Sequence, residues 1–189
     1  MLSASNAQEG DSFGYSLSLS SDGTTLAVGA FLDDSTSRII DNFGTDTDAF
    51  NSGAAYIFTG SGETWDQKAY IKADNSGKSD GFGAAVSLNS DGTILAVGAP
   101  GEDSVSTVMN NPGTDVVDLV NGSGAVYVFT VSGATWAQQA YLKASNTGAA
   151  DLFGEVLSLS GDGTVLAVGV PQEDGAENGT TDSGAVYLY

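Results

Sequence analysis

Three pairs of neighbouring acidic residues are the side chains of this sequence best suited to chemistry. They are Asp33 and Asp34, Glu102 and Asp103, and Glu173 and Asp174. Carboxylate oxygens are the ligands that Ca²⁺ prefers in proteins, so these six residues are the predicted metal ligands, with weak binding expected. The pairs could equally form part of a partner-binding surface. The remaining alternative is that they are ordinary polar residues of solvent-exposed loops.

Catalysis is not supported by the other polar side chains. The chain contains no cysteine and no histidine, so its serines lack the commonest general base, and the commonest transition-metal ligand is missing. No glycine-rich loop opens a predicted helix, so a phosphate-binding element is not expected. We therefore predict a protein that is not an enzyme, with Ca²⁺ as the one cofactor that the sequence suggests.

The charge of the chain restricts its partners. Acidic residues number 24 and basic residues 5, which gives a formal net charge of −19. Nucleic acids and anionic membrane surfaces attract lysine and arginine, so neither is an expected partner. No apolar run is long enough to span a membrane. Cations, proteins and glycans remain as candidate ligands.

Each acidic pair ends a segment that occurs three times. The copies run over residues 13–34, 82–103 and 153–174. In each copy a strand of alternating apolar and small polar residues leads through an Asp-Gly turn into a continuously apolar strand. The alternation predicts one apolar face, and the continuous run predicts a strand buried on both faces.

Two further strands complete each repeat. A third strand is predicted at residues 53–59, 124–130 and 184–189, and a fourth at residues 64–73 and 135–144. The aromatic residues that recur in these strands are expected to pack between neighbouring units. Strict alternation along the fourth strand predicts Trp65 and Ile71 on one face and Tyr70 on the other. Lys68, Lys72 and Lys143 are expected to protect an exposed sheet edge.

Four strands in a repeat of about 70 residues predict an all-β fold made of β-propeller blades. We expect three four-stranded antiparallel blades in one segment over residues 1–189, with repeats near 1–59, 60–130 and 131–189. The chain begins inside the end of a predicted fourth strand and stops inside a third strand. Three blades should therefore form an arc of a larger six- or seven-bladed propeller, or else assemble from identical arcs.

Two short motifs within the repeat carry a family resemblance. The Phe-Gly that opens the first strand and the Gly-Ala-Pro that closes the second, at residues 98–100, resemble the FG-GAP repeat. That repeat builds the β-propeller of integrin α-subunits and of many bacterial surface proteins. The second motif departs slightly in the other two copies, which read Gly-Ala-Phe at 29–31 and Gly-Val-Pro at 169–171.

The resemblance also implies a calcium loop between the first two strands, with the pattern D-x-[DN]-x-D-G-x-x-D. The first and last acids of that pattern are replaced in all three copies. One remaining carboxylate cannot supply the oxygen ligands that Ca²⁺ needs. Asp22, Asp91 and Asp162 are therefore predicted to be turn residues rather than metal ligands.

The resemblance implies a non-catalytic binding or adhesion scaffold, part of an extracellular or cell-surface propeller. Two alternatives remain open: a lectin-like carbohydrate-binding propeller and an accessory domain of a secreted enzyme. The expected partners are a protein or glycan held by the blade loops, together with the remaining propeller blades or a second copy of the chain.

Overall fold

The computed structural model describes residues 1–35, 37, 41, 49–104, 110, 122–174 and 182–189. Within these ranges the chain forms β-strands and turns, and no helix that could cross a membrane is found there. The strands are β1 (Ser16–Leu19), β2 (Thr25–Ala30), β3 (Ala54–Ser61), β4 (Thr64–Ile71), β5 (Ala85–Leu88), β6 (Ile94–Ala99), β7 (Ala125–Ser132), β8 (Thr135–Leu142), β9 (Val156–Leu159), β10 (Leu166–Val170) and β11 (Ala185–Leu188).

The strands form three antiparallel sheets, each made of strands consecutive in sequence. Blade 1 has the order β1-β2-β3-β4, blade 2 has β5-β6-β7-β8, and blade 3 has β9-β10-β11. The prediction of an all-β chain of antiparallel sheets is therefore confirmed. Four strands are present in the first two blades, whereas blade 3 has three strands among the described residues. Over the described residues the three sheets do not close into a ring.

A β-bulge in blade 1 corrects the prediction for the faces of the fourth strand. Ile57 of β3 pairs with Ala69 of β4, but the next residue, Phe58, pairs with Gln67, so Lys68 is an extra residue. An extra residue reverses the alternation of side chains beyond it. Trp65 and Tyr70 consequently pack in the same apolar cluster, and the prediction that they lie on opposite faces is wrong.

Two of the three apolar clusters lie between neighbouring blades. The cluster between blades 1 and 2 joins Ile57 to Val86 and Leu88 of β5, and Phe153 anchors the cluster between blades 2 and 3. Tyr127 of the third strand is fully buried in the first of these clusters. The prediction that the recurring aromatic residues of the third strands pack between neighbouring units therefore holds for Tyr127 and Phe129 of blade 2. In blade 1, Tyr56 and Phe58 pack instead in the third cluster, whose members all lie within residues 2–70.

The glycines of the two recurring motifs lie where the backbones of neighbouring blades meet. A Cβ added to Gly29 would stand 1.9 Å from the carbonyl oxygen of Gly83, and one added to Gly98 would stand 2.0 Å from that of Gly154. Neither distance is compatible with a side chain. The Phe-Gly of one blade thus packs directly on the glycine that ends the second strand of the preceding blade.

The outer faces of the first and third blades lack these contacts among the described residues. A Cβ on Gly14, the blade 1 counterpart of Gly83, would have nothing within 4 Å, and the three atoms nearest to one on Gly169 all belong to Val156 of its own sheet. Large apolar side chains are exposed on both faces. They are Tyr15, Leu17 and Leu19 on blade 1, and Val156, Val186 and Leu188 on blade 3.

Candidate functional site

The first acid of each recurring pair is buried at the start of the connection between the second and third strands. In blade 2, Glu102 is fully buried, and its Oε2 lies 2.8 Å from Nζ of Lys143. The ammonium of Lys143 also donates to Oγ of Ser123 at 2.6 Å, and the hydroxyl of Tyr141 donates to Glu102 Oε1 at 3.1 Å. We call this acid, serine, tyrosine and lysine the clamp of the blade.

Blade 1 contains the same clamp with an aspartate. Lys72 donates to Oγ of Ser52 at 2.7 Å and to the carbonyl oxygen of Gly53 at 2.6 Å, and its Nζ lies 3.5 Å from Oδ1 of Asp33. The hydroxyl of Tyr70 donates to the same carboxylate oxygen at 2.9 Å. The shorter aspartate reaches less far toward the lysine, so the carbonyl and the serine supply the close contacts.

The backbone of each clamp joins the two ends of the connection. In blade 2, the amide of Gly124 and the hydroxyl of Ser123 donate to the carbonyl oxygen of Glu102, at 2.8 and 3.1 Å. In blade 1, the amide of Gly53 donates to the carbonyl oxygen of Asp33 at 2.9 Å. A connection of about 20 residues is therefore held closed at its base by hydrogen bonds that water cannot reach.

An asparagine that follows the fourth strand of the preceding blade binds the buried acid in blades 2 and 3. The side-chain amide of Asn75 donates to Glu102 Oε1 at 3.1 Å, and its Oδ1 accepts from the hydroxyl of Tyr127 at 2.7 Å. Asn146 makes the matching bonds to Glu173 and Tyr187. The segment after each fourth strand thus tethers the buried acid of the next blade.

The electrostatics of the clamps follow from burial. Burial lowers the pKa of Lys72 and of Lys143, and the neighbouring carboxylates of Asp33 and Glu102 oppose that change. Burial also raises the pKa of the Tyr70 hydroxyl, so it remains a hydrogen-bond donor at neutral pH. Each clamp combines an acid and an ammonium whose attraction offsets the loss of their hydration.

Only one of the three lysines predicted at the sheet edge is exposed there. Lys68 is half exposed and pairs with Asp66, in keeping with the edge interpretation. Lys72 and Lys143 are buried, so the edge prediction is wrong for them. Each follows the last residue of its fourth strand, where the chain turns inward over the clamp. Their recurrence in phase, two residues after a tyrosine, was the sequence signal for this role.

The structure places the six predicted metal ligands in two environments. Asp33, Glu102 and Glu173 are buried. Of the second acids, Asp103 is also buried, Asp34 is half-buried and Asp174 is exposed. Asp34 accepts from the amide of Asn51 at 2.7 Å, and Asp174 accepts from the amide of Asp182 at 3.0 Å. Among the described residues, no three acidic side chains are grouped closely enough to hold a metal ion. Weak Ca²⁺ binding at these loops stays a prediction.

The acids of the hairpin turns are turn residues, as predicted. Oδ1 of Asp162 accepts from the hydroxyl of Ser160 at 2.7 Å and from the amide of Thr164 at 3.1 Å. These hydrogen bonds lower the pKa of Asp162 to about 2. Asp22 and Asp91 accept equivalent bonds from the threonine two residues later. The next residue in blade 3, Gly163, has a φ of 73°, which glycine adopts at little cost.

Comparison with known proteins supports the repeat. The family model described as FG-GAP repeat matches residues 1–58, 65–129 and 136–189. No curated protein matches the chain at a significant level.

Solved structures similar to the chain include two distant proteins. Sqt1 of Saccharomyces cerevisiae is 10% identical, with a TM-score of 0.43, over 96% of this chain and 35% of that one. A putative 6-phosphogluconolactonase from Bacteroides uniformis is 15% identical, with a TM-score of 0.44, over 92% of this chain and 57% of that one. The chain therefore spans less than two thirds of either protein.

Proposed function

The chain belongs to the FG-GAP repeat family, and on that premise we propose that it is a non-catalytic binding or adhesion scaffold, a segment of an extracellular or cell-surface β-propeller. The observation that carries the proposal is the clamp. It fixes both ends of a long connection to a rigid sheet, and long loops presented by a rigid scaffold commonly bind ligands.

The clamp also accounts for the buried charges without a catalytic role. In blade 2 the carboxylate of Glu102 receives the ammonium of Lys143, the hydroxyl of Tyr141 and the amide of Asn75. These partners hold the carboxylate in place and stabilise the base of the loop. The residues between the clamped ends are then free to differ from blade to blade, which is how one scaffold can serve different protein or glycan ligands.

A loop replacement tests this function. We expect the chain to bind a protein or glycan on a panel of immobilised extracellular-matrix proteins and glycans. Replacing residues 111–121 by a short Gly-Ser linker should abolish that binding, while the melting temperature stays unchanged because Glu102, Ser123 and Lys143 remain. Asn110 is kept as well, because its Oδ1 accepts from the amide of Tyr141 at 2.9 Å. The matched control carries a Gly-Ser insertion at Gly133, in the turn at the other end of blade 2, and should bind normally.

Two outcomes of the loop experiment would contradict the proposal. One is a chain that binds no member of the panel. The other is a loop-replaced chain that binds as well as the unmodified chain. Binding confined to glycans would favour the lectin-like alternative, although the aromatic residues Tyr127 and Phe129 are fully buried and provide no sugar platform.

We also propose that the outer faces of blades 1 and 3 pack against further blades of the same kind. The exposed Leu17 and Leu19 occupy the same positions as Val86 and Leu88, which are buried between blades 1 and 2. In that interface Leu88 donates its amide to Oγ of Ser18 at 2.9 Å. Both halves of a blade interface are therefore present on the two outer faces, which supports an arc within a larger propeller.

Light scattering on the purified chain tests the proposal for the outer faces. Because apolar faces of this size associate in water, we expect a mass above the 19.0 kDa of one chain. The double variant Leu17→Ser with Leu19→Ser should shift the mass toward the monomer, and Lys78→Ala, at an exposed site, should not. A cooperatively melting monomer at about 100 μM would contradict the proposal, since exposed faces of this kind drive association.

A further inference from the structure

Blades 1 and 2 enclose a cleft at the end of the sheets that carries the short hairpin turns, away from the clamps. Its volume is about 380 Å³, which lies within the range of about 300–1,000 Å³ that small-molecule sites occupy. Ile57 of β3 and Trp136 of β8 form an apolar floor, and Val131 packs against them. The cleft is thus bounded by two sheets whose relative position is fixed by a buried core.

Three polar groups that line the cleft have no hydrogen-bond partner among the residues that the structure describes. They are the hydroxyls of Thr25 and Thr59 and the indole N–H of Trp136. The corresponding indole of blade 1 is bonded, since Nε1 of Trp65 donates to the carbonyl oxygen of Gly62 at 3.2 Å. Trp136 is only 5% exposed, and a largely buried donor without an acceptor is costly. A ligand that offers hydrogen-bonding groups beside an apolar surface would satisfy all three groups.

The rim of the cleft carries one acceptor and one donor of opposite charge. Asp91 lies in the turn before β6, where the hydroxyl and the amide of Thr93 donate to its Oδ1 at 2.5 and 3.1 Å and fix the carboxylate. Lys68 is the extra residue of the bulge in blade 1, and bulges commonly redirect a side chain toward a site. Its Nζ makes only a long, half-exposed contact of 3.5 Å with Oδ2 of Asp66, so the ammonium can still donate to a ligand.

This mixed rim favours a neutral ligand. An anion would be repelled by Asp91 and by the net charge of −19, whereas a cation would meet the ammonium of Lys68. A sugar ring is neutral, has an apolar face, and carries several hydroxyls that each donate and accept hydrogen bonds. Neighbouring hydroxyls of one ring suit a carboxylate on one wall of the cleft and an ammonium on the other.

We propose that the cleft between blades 1 and 2 binds a neutral saccharide of one or two rings. The apolar face of a ring packs on the floor, and the N–H of Trp136 donates to a ring oxygen or hydroxyl. Other hydroxyls of the sugar donate to Asp91, accept from Lys68 and bond the two threonine hydroxyls. The cleft is separate from the long connections between second and third strands, so this inference does not depend on what those connections bind.

The indole N–H signals in the ¹⁵N NMR spectrum of the 189-residue chain test the site. The probes are the methyl glycosides of glucose, galactose and mannose and free N-acetylglucosamine, for which ligands of this size predict dissociation constants of about 1 mM. At least one probe should shift the signal of Trp136 saturably. The signal of Trp65, whose N–H is bonded to Gly62, should stay in place. A Trp65→Phe variant assigns the two signals.

Asp91→Asn should weaken binding of the sugar about 10-fold, because it removes the charge of the rim acceptor while keeping a residue that turns favour. The matched control is Asp162→Asn, in the same turn of blade 3, where Thr164 makes the same bonds. It should bind the sugar as the unmodified chain does. Equal weakening by the two variants would overturn the inference. So would equal shifts of both indole signals, or no shift of the Trp136 signal with any probe at about 50 mM.

Two further variants separate the cleft from the proposed loop site. The chain with residues 111–121 replaced should still bind the sugar in solution, because the cleft lies at the other end of blade 2. The insertion at Gly133, which lines the cleft, should lose the sugar while keeping the ligand of the loop. Millimolar binding does not survive the washing of an immobilised panel, so the cleft does not contribute to that measurement. Loss of sugar binding in the loop-replaced chain would overturn the inference.

Discussion

Replacing Lys143 by methionine is expected to lower the free energy of unfolding by about 3–5 kcal/mol. Methionine fills a similar volume but carries no charge, so the fully buried carboxylate of Glu102 would lose its cation. Ser123 would lose its hydrogen bond from the ammonium as well. Chemical denaturation followed by tryptophan fluorescence measures the change, because Trp136 lies in the core of the same blade.

Two controls separate the buried ion pair from a general effect of removing lysine. Lys68→Met removes a half-exposed lysine from the same type of strand and should change the stability by less than about 0.5 kcal/mol. Adding Glu102→Gln to Lys143→Met should restore part of the lost stability, because the unpaired charge is then absent. Equal losses for Lys143→Met and Lys68→Met would show that the clamp does not stabilise the blade.

The second large effect is expected for Gly98→Ala. Its Cβ would stand 2.0 Å from the carbonyl oxygen of Gly154 in the next blade. Backbone cannot move aside as a flexible side chain can, so blades 2 and 3 would have to separate. We expect a loss of about 3 kcal/mol or more, the upper range for inserting a group into a packed interior. Thermal denaturation followed by circular dichroism measures it.

Gly169→Ala is the matched control for the blade contact. Gly169 holds the same place in blade 3, and neither glycine has a positive φ, so alanine suits both backbones. The nearest atom to the added Cβ is Cβ of Val156, at 3.1 Å. We expect the stability of the 189-residue chain to change by less than about 1 kcal/mol. A large loss at Gly169 with none at Gly98 would contradict the assignment of these glycines to blade contacts.

The strands could be predicted because their signals are local. Alternation in the first strand, the Asp-Gly turn and the continuous apolar second strand each depend on neighbouring residues. The turn role of Asp22, Asp91 and Asp162 was equally accessible, since the hydroxyl and amide donors are within four residues. Because the segment occurs three times at nearly constant spacing, the repeat and its antiparallel sheets could be predicted from the sequence.

The clamps could not be predicted in the same way. Glu102 and Lys143 are 41 residues apart in sequence. A charged side chain whose distant partner is unknown is expected to lie in solvent or to bind a metal ion. The bulge at Lys68 was also hidden, because one extra residue in a strand leaves the composition of that strand unchanged. Both features depend on how distant segments fit together, which local patterns do not report.

The asparagine tethers make the contacts between successive blades asymmetric along the chain. Asn75 follows the fourth strand of blade 1 but bonds the acid of blade 2, and Asn146 stands in the same relation to blade 3. Melting that begins in blade 1 therefore removes a partner from the buried carboxylate of the next blade. Melting that begins in blade 3 leaves the carboxylates of Asp33 and Glu102 with their partners. We therefore expect loss of order to propagate more readily toward the C-terminus than toward the N-terminus.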